Sequence, residues 1–353
     1  MTDIVSGWAE RIRAAAAEGR PLQLYGGGTK SFYGRSCEGE PFDVSGHRGV
    51  VSYEPTELVV TVRGGTPLAE LEALLATRQQ FLAFEPPAFG PNATVGGCVA
   101  AGLSGPRRAA AGALRDFVLG VKLLDGRGDV LSFGGQVMKN VAGYDVSRVI
   151  AGSMGTLGVL LEVSLKVLPQ PTAEASLRFE CDEASAIDRL NDWGGQPLPI
   201  SASAWADGVL TLRLSGAEAA VSAARARLGG ETLAADEAAA FWTSVREHTA
   251  PWFARAPLWR LSLPSSAAPL RLAGKQFIEW GGALRWLQTD QPAAAVRERV
   301  AQLGGTATLF AGGDRSGDVF HPLPEALMRI QQRLKAAFDP AGIFNPGRIY
   351  QGL

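Results

Sequence analysis

Apolar positions in the first half of the chain follow both helical and extended spacing. Val5, Trp8, Ile12 and Ala16 share one helical face, and Gly19 ends that helix. Alternating apolar and polar residues bounded by turn residues indicate strands in the segments that follow. The predicted elements are strands at 22–25, 50–53, 58–62, 117–124, 129–133 and 159–167, a helix that starts at Thr66-Pro67, and a hairpin turn at 125–128.

The pattern and the composition change after Pro171. The segment 172–323 is rich in alanine and tryptophan and predicts a smaller antiparallel α+β lobe, in which Gly281-Gly282 joins two strands as a hairpin. An amphipathic helix at 324–338 and a short tail follow. We therefore predict an α+β fold divided into 1–171, 172–323 and 324–353. The elements predicted for the second lobe are strands at 202–214, 258–263, 277–280 and 284–288 and helices at 218–228 and 293–303.

Length and charge limit the classes of function. The chain has 353 residues, enough for two compact domains, and carries 34 basic against 35 acidic side chains for a formal net charge of -1. No basic patch for nucleic acid or for an anionic membrane is expected from this balance. Partners must therefore be recognised by local chemistry.

The cysteines and the start of the chain indicate the compartment. Cys37, Cys98 and Cys181 lie far apart and form no C-x-x-C pair, which argues against an iron–sulfur cluster, a zinc site or a disulfide framework. The N-terminus has no basic, apolar leader, and no run approaches the roughly 18 apolar residues of a membrane span. We expect a cytoplasmic protein without membrane insertion of its own, with attachment to the inner membrane through partners as an open alternative.

Glycine-rich blocks are the most informative chemistry in the sequence. One follows the predicted strand at 22–25 and reads Gly26-Gly27-Gly28-Thr29-Lys30, a second contains Thr94-Val95-Gly96-Gly97, and a third runs from Lys139 to Gly158. Glycine lacks a β-carbon, so such loops can approach a ligand closely and present successive amides to an anion. The blocks therefore predict a large, partly anionic cofactor.

These blocks carry a resemblance to a known family. Together with the terminal Asp339-Pro340 and Asn345-Pro346-Gly347-Arg348, they resemble the FAD-binding oxidoreductases of the vanillyl-alcohol oxidase and p-cresol methylhydroxylase family, in the right order and over about half the chain. The likeness is strongest to the FAD-binding subunits of bacterial glycolate oxidase. It implies a p-cresol methylhydroxylase-type FAD domain of two subdomains, a cap lobe, and a C-terminal segment that returns to the FAD domain.

The resemblance also implies which residues contact FAD. Residues of the first two glycine loops would meet the pyrophosphate, four residues of the third block would lie along the ribityl and adenine side, and two C-terminal residues would approach the flavin ring. In that order they are Gly26, Gly27, Gly28, Thr29, Lys30, Thr94, Gly96 and Gly97; Gly155, Thr156, Gly158 and Val159; and Asn345 and Arg348.

Departures from the family pattern carry further expectations. Members with covalent flavin have histidine in the first loop, where this chain has Thr29 and Lys30, so we expect non-covalent FAD. Members that oxidise D-2-hydroxy acids have a histidine cluster that often binds metal, whereas the three histidines of this chain are not at ligand spacing, so we expect no metal site. Met154 replaces an acidic residue of the family. These departures leave independent catalysis by the chain open.

The sequence gives the least information about catalytic residues. Arg107, Arg108 and Arg115 follow a glycine loop and could hold a substrate carboxylate, with ion pairs to Asp116 or to cofactor phosphates as the alternative. Arg108 and His321 are the leading candidates, and His321 lies near the predicted junction of the lobes.

Two further predictions concern the second lobe. His248 is expected at the surface or at a helix end. Trp252-Phe253 and Leu258-Trp259 are candidates for an exposed partner-binding patch, with a place in the core of the lobe as the alternative.

The resemblance implies an FAD-binding subunit of a multi-subunit 2-hydroxy acid oxidoreductase that converts glycolate to glyoxylate. In this chemistry the flavin accepts hydride while a base removes the hydroxyl proton. Because the chain has no cluster ligands, electrons would pass to an iron–sulfur subunit, and a larger flavoprotein subunit would complete the complex. Two alternatives stay open: a self-sufficient D-2-hydroxy acid dehydrogenase, for example of D-lactate, and a flavoprotein scaffold without catalysis.

Overall fold

A computed structural model describes residues 4–135, 145–255 and 257–353. The first part of the third glycine block, including Gly143 and Tyr144, lies outside these residues. We call the elements up to β9 the first lobe and those from β10 to β17 the second lobe.

The first lobe mixes helices and strands around an antiparallel sheet. Within the described residues this sheet has the strand order β3-β4-β8-β6-β7, with β8 in the centre. The elements are α1 (Ile4–Glu18), β1 (Leu22–Tyr25), β2 (Glu40–Asp43), β3 (Val50–Glu54), β4 (Val59–Arg63), α2 (Leu68–Ala76), β5 (Gln80–Phe81), α3 (Val95–Ala101), α4 (Arg108–Ala111), α5 (Leu114–Phe117), β6 (Val118–Leu124), β7 (Val130–Gly134), α6 (Val146–Ile150), β8 (Val159–Lys166) and β9 (Leu168–Pro169).

A second, smaller sheet unit of the first lobe leads to the glycine turn. β1 pairs in parallel with β2, and Leu22 of β1 also forms a parallel bridge with Phe344 from the C-terminal tail. α1 packs over this unit through Trp8 and Ile12, which are buried against Phe42. The end of β1 is therefore fixed from three sides before the chain enters the turn at Gly26.

The second lobe is built on a larger sheet than the first. In the described part of the chain its order is β13-β10-β12-β11-β15-β16-β14-β17, and every pairing is antiparallel. The elements are β10 (Ala173–Glu180), α7 (Glu183–Gly194), β11 (Ile200–Ala206), β12 (Val209–Gly216), α8 (Glu218–Leu228), β13 (Glu231–Thr232), α9 (Ala235–Arg246), β14 (Leu258–Ser262), β15 (Lys275–Glu279), β16 (Leu284–Gln288), α10 (Ala293–Gln302) and β17 (Thr306–Ala311).

The single strand predicted at 202–214 is wrong, because β11 and β12 form a hairpin. Asp207 and Gly208 both have positive φ, at 48° and 86°, which is the backbone of a tight two-residue turn. The Asp207-Gly208 dipeptide itself favours such a turn, so the sequence carried a local signal for the hairpin that the prediction did not use. The α+β class and the antiparallel second lobe are confirmed.

The two lobes share a core beside the C-terminal segment. Tyr33, Leu103 and Met154 from the first lobe pack in one apolar cluster with Trp286 and Phe310 from the second. α11 (Glu325–Phe338) then carries the chain back, and the tail pairs with β1. One face of the second sheet thus covers the region where the glycine turn and the third block meet.

Candidate functional site

A cleft of about 290 Å³ opens at the end of β1. Its walls come from four segments that are distant in sequence: β1 with the loop that follows it, α3 with its N-cap, the loop at Met154 and the C-terminal tail. The lining residues that the sequence pointed to are Gly26, Gly27, Gly28, Thr29, Lys30, Thr94, Gly97, Asn345 and Arg348. The structure therefore brings nine of the predicted cofactor-contacting residues together.

The glycine turn supplies free backbone donors to this cleft. Among the described residues, none of the N–H groups from Gly26 to Lys30 donates a hydrogen bond. Gly28 has φ +70°, and its carbonyl accepts a hydrogen bond of 2.7 Å from Ser31 Oγ, which holds the turn. Successive unpaired amides form a concave site that favours an anion.

Glycine is required in the turn because another loop lies against it. A Cβ on Gly27 would stand 1.4 Å from the carbonyl oxygen of Asn92, and one on Gly26 would stand 2.6 Å from Thr94 Oγ1. The sequence predicted that the missing side chains make room for the ligand. The structure shows that at Gly27 they make room for the neighbouring backbone.

The second glycine loop caps α3 and contributes two residues to the wall. Thr94 Oγ1 accepts a hydrogen bond of 3.1 Å from Gly97 N–H, and both residues line the cleft. Gly96 instead faces Gly64, whose carbonyl accepts its N–H at 2.7 Å and would lie 2.8 Å from a Cβ at position 96. Gly96 therefore holds the second glycine loop close to the backbone that follows β4.

The C-terminal motif closes the cleft from the opposite side. The side chain of Asn345, only 4 % exposed, accepts a hydrogen bond of 2.7 Å from Leu24 N–H and donates one of 2.8 Å to Met154 O. Arg348 donates to the carbonyls of Arg35 at 2.8 Å and Ser31 at 2.9 Å. Both side chains therefore fix the walls of the cleft as well as lining it.

The remaining predicted contacts do not line this cleft. Gly155 packs against Asn345, with Nδ2 at 2.7 Å from a Cβ placed there, and Gly158 packs against the carbonyl of Leu124 at 2.6 Å. Thr156 and Val159 are buried, and Thr156 Oγ1 donates to Ser153 O at 2.7 Å. Their predicted contact with the ribityl and adenine side stays a prediction. Met154, which is next to them, lines the cleft.

Two cationic side chains give the cleft a positive character. Lys30 Nζ donates to Ala88 O at 3.1 Å, and burial lowers its pKa. Burial likewise lowers the pKa of Arg348. An arginine keeps its charge even so, because its ordinary value is far above neutrality. Free amides, two cations and a turn without side chains fit a cofactor with a pyrophosphate and a flat ring system.

The three arginines that the sequence offered for a substrate carboxylate do not share one site in the structure. Arg107 is buried and pairs with Glu85, Nε to Oε1 at 3.3 Å, and with Glu174 at 2.5 Å. Arg115 reaches Asp116 at 4.0 Å. The alternative of an ion pair with Asp116 therefore holds for Arg115, whereas Arg107 pairs with two glutamates that the sequence did not indicate.

Glu85 is the centre of an ion-pair network between the lobes. Both carboxylate oxygens accept hydrogen bonds from Arg213, at 2.8 and 2.9 Å, and one oxygen accepts from the backbone N–H of Arg107 at 2.9 Å. Arg213 belongs to β12 of the second lobe, while Glu85 belongs to the first. This network fixes the second sheet over the first lobe.

A cluster of titratable groups that the sequence did not indicate lies under the second sheet. Arg108 and Arg260 lie over the ring of Trp280, at 4.4 and 5.2 Å from its centroid. No hydrogen bond or ion pair of either guanidinium is found within the described residues. Glu279 lies nearby, and burial raises its pKa to about 7. The only sequence signal for Arg260 was its place in a strand between apolar residues.

His248 belongs to the same cluster, so its predicted place at the surface is wrong. The alternative, a helix end, is confirmed, because His248 follows the C-terminus of α9 and its N–H donates to Val245 O at 3.3 Å. Its ring stacks on Phe253 at 4.2 Å and contacts Trp286 at 4.5 Å and Phe310 at 5.3 Å. Burial lowers its pKa to about 3, so the ring is neutral at physiological pH. His321 lies apart from these residues, and its Nδ1 accepts the N–H of Ala307 at 3.4 Å.

The predicted partner-binding patch is also wrong in its main members. Phe253, Leu258 and Trp259 are buried, and Trp259 belongs to the cluster beneath α10. Trp252 is half-buried and packs against Phe253 and Phe277. These residues instead belong to the core of the second lobe, which was the alternative prediction.

Metal ligands and membrane spans are both missing from the described part of the chain. No group of three or more His, Cys, Asp or Glu side chains in the described ranges is arranged to hold a metal ion. No helix among them is long and apolar enough to cross a membrane.

Comparison with known proteins agrees with the geometry of the cleft. A family model described as an FAD binding domain matches residues 7–134. The glycolate oxidase subunit GlcE of Escherichia coli (strain K12) is 48 % identical over 345 residues, which cover 98 % of this chain and 97 % of that protein. The glycolate oxidase subunit GlcD of Bacillus subtilis (strain 168) is 26 % identical, over 85 % and 77 % of the two chains.

A solved structure of alkyldihydroxyacetonephosphate synthase shares the fold. It aligns with a TM-score of 0.66 at 14 % identity and covers 96 % of this chain and 74 % of that one. The family match lies on the lobe that carries the cleft, and the likeness to the Escherichia coli subunit extends over nearly the whole chain. The chain is an FAD-binding flavoprotein and belongs to the family of glycolate oxidase subunits.

Proposed function

We propose that this chain is the FAD-binding subunit of a multi-subunit 2-hydroxy acid oxidoreductase that oxidises glycolate to glyoxylate and passes electrons to an iron–sulfur subunit, with a larger flavoprotein subunit in the same complex. The cleft of unpaired amides and cations is the observation that carries the proposal. The names of the relatives in Escherichia coli and Bacillus subtilis, both glycolate oxidase subunits, support the choice of substrate.

The residues of the cleft divide the work of holding FAD. The amides from Gly26 to Lys30 would bind the pyrophosphate, with Lys30 adding positive charge, and Asn345 and Arg348 would lie on the side of the flavin ring. Thr94 and Gly97 would support the same group from the second loop. When bound, the flavin supplies hydride acceptance, and the protein supplies binding, orientation and electrostatics. The chain would divide into an FAD domain at 1–171, a cap at 172–323 and a returning segment at 324–353.

A substrate carboxylate would be held by the arginines under the second sheet. Arg108 and Arg260 both lack an anionic partner within hydrogen-bonding distance in the described part of the chain, whereas the buried Arg107 and Arg213 are paired. A guanidinium forms two parallel hydrogen bonds with a carboxylate. Either arginine is therefore a better candidate than His321, which contacts the backbone of β17.

Purification of the full chain, alone and with the two proposed partner subunits, tests the proposal. The complex should show a flavin spectrum that anaerobic glycolate bleaches, with reduction of the iron–sulfur signal, and acid precipitation should release all flavin into the supernatant. Rapid bleaching of the isolated chain by D-lactate would favour a self-sufficient dehydrogenase. A complex that turns over glycolate equally well with this chain emptied of FAD would favour a scaffold.

A pair of variants tests the carboxylate site. Arg260→Met should raise the glycolate concentration needed for half-maximal bleaching while the bound FAD spectrum stays unchanged. Arg297→Met is the matched control, because Arg297 lies over the ring of Trp259 at 5.4 Å in the same lobe. Equal behaviour of the two variants would remove Arg260 from the proposed substrate site.

A further inference from the structure

A buried ion pair lies where α11 passes into the C-terminal tail. Lys335 Nζ donates to Asp339 Oδ2 at 2.7 Å, to the carbonyl of Thr156 at 2.8 Å and to the carbonyl of Phe344 at 2.7 Å. An ammonium group has three protons, so all its donors are used. Through these three bonds Lys335 joins the third glycine block to the tail.

The carboxylate of the pair fixes the tail independently. Asp339 Oδ1 accepts the N–H of Ile343 at 3.1 Å, and Oδ2 accepts the N–H of Phe344 at 2.7 Å. Asp339 is 1 % exposed and Lys335 7 %, so neither charge is solvated by bulk water. The backbone from 339 to 344 is therefore held by its amides as well as by one carbonyl.

Asn345, the next residue in the tail, connects the tail to both walls of the cleft. Asn345 N–H donates to Leu22 O at 3.0 Å, and its side chain joins Leu24, two residues before the glycine turn, to Met154 in the opposite wall. Phe344 forms the bridge with Leu22. Lys335 and Asp339 thus set the position of Asn345, whose side chain contacts both walls.

Energetics argue for a specific role of the pair. Moving two charges out of water carries a large penalty, and well-packed apolar side chains of similar volume often stabilise a protein equally well or better. A pure filling role would not need an ammonium with three fixed acceptors. A charged pair does, however, fix the direction of several carbonyls and amides at once.

We propose that Lys335 and Asp339 are positioning residues for FAD, which hold the Met154–Thr156 segment and the Asn345–Arg348 segment at the separation that the cofactor requires. They do not line the cleft themselves. They act through Asn345, whose contacts decide how far the two walls stand apart.

The test compares two ion pairs of the same helix in the full chain. Lys335→Met removes the buried cation, and Arg329→Met removes an exposed one whose partner Glu325 is also four residues away, at 2.8 Å. FAD affinity is measured by quenching of flavin fluorescence, the environment of the bound flavin by visible circular dichroism, and stability by melting with and without FAD. Lys335→Met should raise the Kd for FAD at least tenfold and alter the visible dichroism, whereas Arg329→Met should change neither.

If the ion pair only stabilises the fold, a different result is expected. It would lower the melting temperature equally with and without FAD and leave the Kd and the dichroism at wild-type values, which would overturn the proposal. If Lys335→Met does not fold, Lys335→Gln decides on the same readouts, because glutamine keeps two donor hydrogens that support folding but removes the charge and one of the three bonds. Wild-type FAD binding by Lys335→Gln, or failure of both variants to fold, would equally refute a positioning role. None of these readouts depends on glycolate oxidation, so they are independent of the proposed substrate.

Discussion

Gly27→Ala is expected to separate the two loops that form the floor of the cleft. The new Cβ would lie 1.4 Å from the carbonyl oxygen of Asn92, and a real Cβ does not come closer than 3.0 Å to such an atom. The two backbones must therefore move apart by at least about 1.6 Å. Neither side can yield by a simple rotamer change, because both contacting groups are main chain.

A displacement of this size is large compared with the tolerance of a hydrogen bond. An N–H···O bond has a heavy-atom distance of about 2.7–3.2 Å. Loss of two charge-assisted bonds from the turn to a phosphate, at about 1.5–3 kcal/mol each, would weaken FAD binding by about 3–6 kcal/mol. This corresponds to an increase in Kd of about 10²–10⁴.

Titration of the apo-protein with FAD measures the effect. Gly7→Ala is the control, because Gly7 lies in α1 with no atom within 4 Å of the place that a Cβ would take, and alanine favours a helix. Far-ultraviolet circular dichroism of both apo-variants should match the wild type. An unchanged Kd for Gly27→Ala would refute the assignment of the turn as the pyrophosphate site, and a lost fold would show that the loop contact serves the fold instead.

Three further predictions concern the second lobe and its junction with the first. Glu279→Gln should make the protein more stable at pH 8.5 and leave its stability unchanged near pH 4. Burial raises the folded-state pKa of Glu279 to about 7, so the stability of the wild type falls as pH rises from about 4.5 to 7. Urea midpoints at the two pH values check this, and an equal change at both would contradict it. Trp259→Ala should lower the free energy of unfolding by about 3–5 kcal/mol, as for other buried aromatics, whereas an interface role would leave stability unchanged. Glu85→Ala should cost about 3–5 kcal/mol in chemical denaturation, because it leaves the buried Arg213 without its carboxylate, and a loss below about 1 kcal/mol would show that the network does not hold the lobes together.

The glycine turn was predictable because its requirements are local. Gly28 needs a positive φ, and the run of glycines directly after a strand indicates close backbone approach whatever lies opposite. The same holds for Thr94, whose side chain caps α3 within its own loop. The resemblance to the flavoprotein family named Thr94 and the C-terminal Asn345 and Arg348 as cofactor contacts, and the structure places them around one cleft with the glycine turn.

The direction of the aromatic side chains could not be predicted. Trp259 and Arg260 are neighbours in β14, so they point to opposite faces of a sheet. Both faces of this strand are covered, one by α10 and the other by the first lobe, so the pattern does not show which neighbour is core and which meets the cleft region. His248 lies after the end of α9 and not in a strand, but its place beside Phe253 and Trp286 likewise depends on tertiary packing.

The sequence by itself determined the fold class and the presence of a cofactor-binding cleft, because helix spacing, strand alternation and glycine conformation depend on residues close in the chain. Only the tertiary structure decided which loop lies against Gly27, that Glu85 pairs with Arg213, 128 residues away, and that Lys335 joins Thr156 to Phe344. Such pairs carry no local signature, since an isolated arginine, lysine or glutamate is equally compatible with solvent. Their partners are chosen when the two lobes and the tail pack together and exclude water from the charges between them.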